Sequence, residues 1–183
     1  MTRLSGFVFG AAALLTATAV GAQGKMEHYA KVGAWQIEVE PARKLCKMYR
    51  VYGSSVDDHI EALFVRYDAT NESVSLRWST NKPIDLPADG QIEFELNFVK
   101  GKSLDQSWGS RTFRYGKPAD TYYFDHSFNG AKGSQRILRD LSKNALLGLY
   151  FGSTMMTGLL LDAADATQAL RECSAKAGGL VAA

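Results

Sequence analysis

Cysteine, proline and histidine are scarce in this chain: two, four and three copies in 183 residues. Three histidines (His28, His59 and His126) without a His-x-x-x-His spacing, and two distant cysteines, give no zinc ligand set. Gly-x-Ser-x-Gly is absent, and so is any glycine-rich phosphate loop. Ser79-Thr80-Asn81-Lys82 has the Ser-x-x-Lys spacing, but that spacing works on a helix, where residues three apart share a face. Here the segment leaves a strand and Pro83 follows. No sign of charge dominates either, since 21 Lys and Arg face 19 Asp and Glu for a formal +2. A nearly neutral chain gives no electrostatic argument for nucleic acid or any polyanion. No catalytic, cofactor-binding or metal-ligating residue is therefore assigned. Past the N-terminus no run is apolar enough to cross a membrane. Leu146 to Leu161 comes closest, and Gly148, Gly152, Ser153, Thr154, Thr157 and Gly158 interrupt it.

What is present begins with an export signal. Arg3 precedes an apolar or small run from Phe7 to Val20, and Val20-Gly21-Ala22 supplies small residues at a cleavage site. An uncleaved anchor is the competing reading, but the run is rich in Ala, Gly and Thr and short in its strongly apolar part. Residues 1–22 are read as signal, 23–31 as a polar leader, 32–177 as one β-rich domain and 178–183 as a frayed tail. Cleavage removes one cation and no acid, so it lowers the formal charge by one. An apolar content of 46% with 11% aromatics predicts a packed core.

Period-two alternation runs through most of the domain. Trp35, Ile37 and Val39 alternate with Gln36, Glu38 and Glu40. Cys46, Met48, Arg50 and Tyr52 alternate with Lys47, Tyr49 and Val51. Val74, Leu76 and Trp78, and then Ile92, Phe94, Leu96 and Phe98, repeat the pattern with one wet face. Ile60 to Tyr67 is a further strand, and Arg111 to Tyr115 with Thr121 to Phe128 form a hairpin across Gly116-Lys117-Pro118. Lys100 to Gly109 is read as loop. Ser134 is positioned to cap a short helix from Gln135 to Lys143. Leu146 to Leu161 reads as buried strands bent at Gly152. Asp162 caps a last helix in which Ala166, Ala169, Leu170 and Cys173 share a stripe. The fold expected is mainly β: a β-sandwich or open barrel of about eight to nine strands with a short helix and a disulfide-anchored C-terminal helix. The disulfide is Cys46 to Cys173, because an oxidising compartment and a lone pair leave one intramolecular partner each.

Two features suit binding. Tyr122, Tyr123 and Phe124, with Phe128, place aromatics on both faces of a strand, so one ring shows outside. A tyrosine merely covering a sheet edge is the plainer explanation. Arg136, Arg139 and Lys143 form a basic helix stripe suited to an anionic partner or lipid surface; a solvated face of an amphipathic helix is the plainer explanation. Asp57-Asp58-His59 and Asp125-His126 are two Asp–His neighbours that could orient an imidazole or hold a metal. Adjacent strand residues face opposite ways, so Asp125 is badly placed to orient His126.

Gly33-Ala34-Trp35, the early Cys46 and the terminal Ala169-Leu170-Arg171-Glu172-Cys173 together resemble the small exported bacterial proteins of the invasion-associated locus B type. The matching residues cover the two ends of the domain. The resemblance implies a periplasmic β-sandwich associated with the envelope or with host interaction, and it transfers no catalytic residue. The reading is an exported, non-catalytic binding or interaction module, periplasmic or secreted. Its ligand is an unknown protein or small molecule and not nucleic acid, and no transmembrane segment remains after cleavage. The alternatives are a small hydrolase using carboxylates and His126, and a structural protein of the envelope. N-terminal sequencing of the exported protein is expected to begin at Gln23; retention of Arg3 would refute the signal.

Overall fold

Alternation carries most of the backbone into strands. The computed structural model describes residues 25–53, 59–86 and 90–178, so the signal, the site of its cleavage, the Asp57-Asp58 pair and all but the first residue of the tail lie outside the described residues. The strands are β1 (Glu27–Val32), β2 (Trp35–Glu40), β3 (Leu45–Tyr52), β4 (Glu61–Asp68), β5 (Ser73–Thr80), β6 (Gln91–Lys100), β7 (Ser103–Gly116), β8 (Tyr122–Phe128), β9 (Leu146–Phe151) and β10 (Thr154–Leu159). The helices are α1 (Ala131–Lys143) and α2 (Ala163–Gly178). All ten strands join one antiparallel sheet in the order β1-β2-β3-β4-β5-β8-β7-β6-β9-β10. The chain is thus mainly β, and the sheet is open rather than closed.

Two strands extend further than alternation alone suggests. Most of the stretch read as a polar leader forms β1. Its residues are too polar to signal a strand, but the Gly33-Ala34 turn folds them back on β2 with Val32 opposite Trp35. Gly33 holds φ at +54°, and a Cβ there would strike the Asp162 carboxylate. β7 reaches back to Ser103 through the stretch read as loop. It pairs with β6 across two register irregularities, which scramble the alternation there.

Cross-strand register gathers the large apolar residues on one face. Ile37 lies opposite Met48, Met48 opposite Val65, and Val65 opposite Leu76. Phe124 lies opposite Trp78, while Leu149 lies opposite both Leu96 and Met156. The sheet curls around this face until its last strand meets its second and third. The Tyr52 hydroxyl donates to the Leu159 carbonyl at 3.0 Å. The Leu161 carbonyl accepts Trp35 Nε1 at 2.8 Å and Arg50 at 3.1 Å. Gly158 is required at that closure, because a Cβ would stand 2.8 Å from the Tyr52 hydroxyl and 3.0 Å from the Trp78 ring.

Both helices cover the core face. Ile137, Leu138 and Leu141 of α1, and Ala166, Leu170 and Cys173 of α2, join the same cluster of buried side chains as Trp35 and Phe94. α1 starts at Ala131, one turn before the cap expected at Ser134. Gly130 lies at its N-cap instead, and no side chain caps that end. Ser134 is a tether, donating to the Glu72 carbonyl at 2.6 Å and the Phe128 carbonyl at 3.1 Å. Asp162, at the entry of α2, holds a left-handed φ of 61° while its carbonyl accepts the Ala166 N–H at 3.0 Å.

Cys46 and Cys173 are bonded, with Cα atoms 6.0 Å apart and 127 positions of chain between them. Ser174 adds a hydrogen bond to the Tyr67 carbonyl at 3.1 Å, so α2 is held to both β3 and β4. Reduction, or Cys173→Ala, is expected to cost about 2–5 kcal/mol. Denaturant unfolding with and without reductant measures it; an unchanged midpoint would show the bridge to be dispensable.

Candidate functional site

The face of the sheet turned away from the core carries the polar partners of every alternating strand. Across β3, β4, β5 and β8 one row reads Lys47, Arg66, Ser75, Ser127. The next reads Tyr49, Phe64, Arg77, Asp125, and continues to Arg114 on β7. A groove of about 720 Å³ follows these rows.

The groove exists because β7 and β8 part company. Their ladder has only the pairs Arg114–Asp125, Tyr115–Phe124 and Gly116–Tyr123. Beyond Asp125 the strands splay, so Ser127 and Thr112 have no ladder partner across the gap. From the core side His126 fills it. Its Nδ1 lies 2.8 Å from the Thr112 carbonyl, and its ring packs between Phe113 and Phe128 at 5.1 and 4.6 Å. Trp108 closes against Phe128 at 4.9 Å. The floor of the groove is thus sealed by rings, while its walls stay polar.

Charge in the groove is lopsided. Lys47 pairs with Glu38 at 3.0 Å, and Arg77 makes a two-pronged pair with Asp125 at 2.7 Å per bond. Those bonds raise the Arg77 pKa above its ordinary value against the opposing effect of partial burial. Arg66 and Arg114 make no ion pair with any described residue. Partial burial pulls the Arg66 pKa down first; its neighbours Arg77 and Arg43 lower it further, opposed by Asp125 and Glu40. A guanidinium kept among cations, with the carboxylates too distant to pair, attracts an external anion.

The residues singled out from sequence separate into three places. Phe124 and Phe128 are core. Tyr123 alone of that strand's aromatics lies on the groove face, with the Arg77 guanidinium 4.8 Å over its ring. Tyr122 is half-buried, under the Lys117 ammonium at 4.8 Å. The basic stripe of α1 is largely occupied. Arg136 lies 4.2 Å over the Trp108 ring and 3.8 Å from buried Asp140, and Arg139 lies 3.4 Å from the same carboxylate. Trp108 Nε1 donates to Asp140 as well, at 3.0 Å. Lys143 stands exposed in the last turn. The sequence reading did not single out Arg66, Arg77 or Arg114. Each sits on the wet face of an alternating strand, but only the β5–β8 pairing, which skips two strands of sequence, brings them together.

Among the described residues no carboxylate pairs with His126. Asp125 points to the other face and is taken by Arg77. Glu61, held above its ordinary pKa by burial, lies four residues along the sheet from the His126 row, about 13 Å away. Among the described residues no cluster of His, Cys, Asp and Glu is arranged to hold a metal ion.

Burial also lowers the His126 pKa below its ordinary 6.5; the Thr112 carbonyl opposes this and Arg111 reinforces it. The unfolded chain therefore takes up this proton first. The neutral ring's contribution to stability is complete above about pH 6.5 and is lost as pH falls through the depressed value. Unfolding free energy is expected to fall more steeply between about pH 7.5 and 5 in the wild type than in His126→Phe. Parallel slopes would refute the assignment.

Compared with protein-family models, with curated proteins and with solved structures, the chain has no significant match in any of the three.

Proposed function

We propose that this protein is an exported, non-catalytic binding module of the periplasm or cell exterior that holds an anionic ligand in the groove of its open sheet face. The observation that carries the reading is the pair of guanidiniums, Arg66 and Arg114, left without ion partners at either side of that groove. Export is supported by the signal-like residues 1–22 and by the Cys46–Cys173 bond, which persists in oxidising compartments. No described helix is long and apolar enough to cross a membrane. A binding role rather than a hydrolytic one is favoured by His126, which lines the groove with its Nδ1 held at the Thr112 carbonyl and has no carboxylate partner among the described residues.

The near-neutral whole-chain charge argued against a polyanion. That argument averages over the surface, whereas binding responds to local potential. Titration with polyacrylate, a synthetic polyanion, tests the groove directly. Replacing both Arg66 and Arg114 by Glu is expected to abolish binding. Replacing Lys100 and Lys102 by Glu on the exposed β6–β7 turn changes the net charge equally and is expected to spare most of it. Equal losses would show a diffuse charge effect and refute the groove as the site.

A further inference from the structure

A site for one phosphate or one carboxylate gathers donors toward a single point, commonly backbone N–H groups at a helix N-terminus or in a nest. This groove is built otherwise. Its cations are dealt out one per strand: Lys47 on β3, Arg66 on β4, Arg77 on β5, Arg114 on β7. With neighbouring strands about 4.8 Å apart, Arg66 and Arg114 stand three strand spacings and one two-residue row from each other, about 16 Å. Hydroxyls fill the interval, from Ser75, Ser79, Ser127 and Thr112. One wall presents the Phe64 ring, backed by Tyr49 in a stack at 5.4 Å and 25°. Where β7 and β8 splay, strand backbone lines the gap without a ladder partner.

Spaced cations, interspersed hydroxyls and a flat ring suit one kind of ligand. We propose that the groove binds a segment of acidic polysaccharide, a chain of sugar rings bearing carboxylate or sulfate groups, laid across the strands from β4 to β7. The proposal rests on the groove being the anion site argued above and names the class of its ligand. A sugar ring offers hydroxyls that both donate and accept, as serine and threonine do. It also offers an apolar C–H face that packs on an aromatic ring. Its anionic substituents recur at intervals, which matches separated guanidiniums better than a convergent cradle. An arginine fork accepts carboxylate or sulfate through two parallel bonds. Arg66 and Arg114 are ready for this. Arg77 stays in its two-pronged pair with Asp125 and, 43% exposed, adds positive potential between the two free guanidiniums. The volume, about 720 Å³, accommodates a few sugar rings. Single-stranded nucleic acid fits less well. Base stacking wants several free rings along a cationic track; the rings lining the groove are Phe64 and His126, the latter wedged between Phe113 and Phe128, and Asp125 stands in the middle.

Calorimetric titration of the exported protein discriminates these ligands. The probes are short oligogalacturonate, a sulfated glycosaminoglycan oligomer, neutral malto-oligosaccharide, inorganic phosphate and oligothymidylate. At least one acidic oligosaccharide is expected to bind with a salt-sensitive affinity, and the neutral oligomer and phosphate are not. Arg66→Ala and Arg114→Ala are each expected to weaken that binding about tenfold. Thermal unfolding should move little, since neither guanidinium makes an ion pair with a described residue. Binding of oligothymidylate through the same two arginines, with no acidic oligosaccharide bound, would overturn the sugar class and leave the groove standing. Silence from every anion would overturn the groove and the sugar together. Acidic sugars that bind the double alanine variant as tightly as the wild type would overturn the placement.

Discussion

Register between strands is the constraint on which the rest of this molecule depends. Side chains alternate with a period of two, so a slip of one residue between neighbours exchanges the two faces of a strand. Here the register holds from β2 to β8 without interruption. Met48 therefore continues the line of Ile37, Val65 and Leu76 on one face, while Lys47, Arg66, Ser75 and Ser127 align on the other. The core and the groove are the two sides of one set of pairings. A change that shifts β5 against β8 would empty the core and scatter the arginines at once.

A ten-stranded open sheet has two edges and a large apolar face to cover, and this chain answers both with the elements from α1 onward. β9 and β10 fold back so that Trp35, Arg50 and Tyr52 bond carbonyls at and just beyond the end of β10. Those side chains occupy acceptors that a free edge would offer to another strand. α1 and α2 then close the remaining part of the core face. The disulfide fixes α2 to β3 from the far end of the sequence, and Ser134 and Ser174 pin the helices to strand and turn carbonyls. The ends of the domain are thereby tied through its centre.

Legibility in the sequence followed the strength of the local pattern. β2, β5 and β6 were readable because large apolar residues occupy every second position with polar ones between. The bridge was readable because a pair of cysteines has one solution. β1 was hidden, since an edge strand with a weakly buried face need not alternate in hydrophobicity. The first half of β7 was hidden by its bulges, which break period two where the strand bends. Ser134 misled for a physical reason as well. A serine near a helix start is a good cap by type, but Phe128 and Glu72 present their carbonyls to it, and the helix begins earlier at Gly130. The groove was the least legible part. Arg77 and Arg114 are 37 positions apart, and nothing local says that β5 pairs with β8 and β8 with β7.

That non-local pairing also explains how a nearly neutral chain acquires a cationic site. Each arginine sits in its own strand among serines and acids, so no charge run forms in the sequence. Folding sorts these charges by face and by strand order. Glu93 and Glu95 lie on β6, beyond Arg114, where Glu93 accepts a bond from Ser110 of β7 at 3.2 Å. Glu38 is spent on Lys47 and Asp125 on Arg77. The remaining guanidiniums flank a central two-pronged pair that is itself partly exposed. Arg77 is the position where occupancy would be felt most widely, because its guanidinium also covers the Tyr123 ring, and that ring fills the space beside Gly116 at the paired end of β7 and β8. A ligand anion that shifts Arg77, still paired with Asp125, would shift its cover of the Tyr123 face, so anion capture and the shape of the cleft are coupled through one side chain.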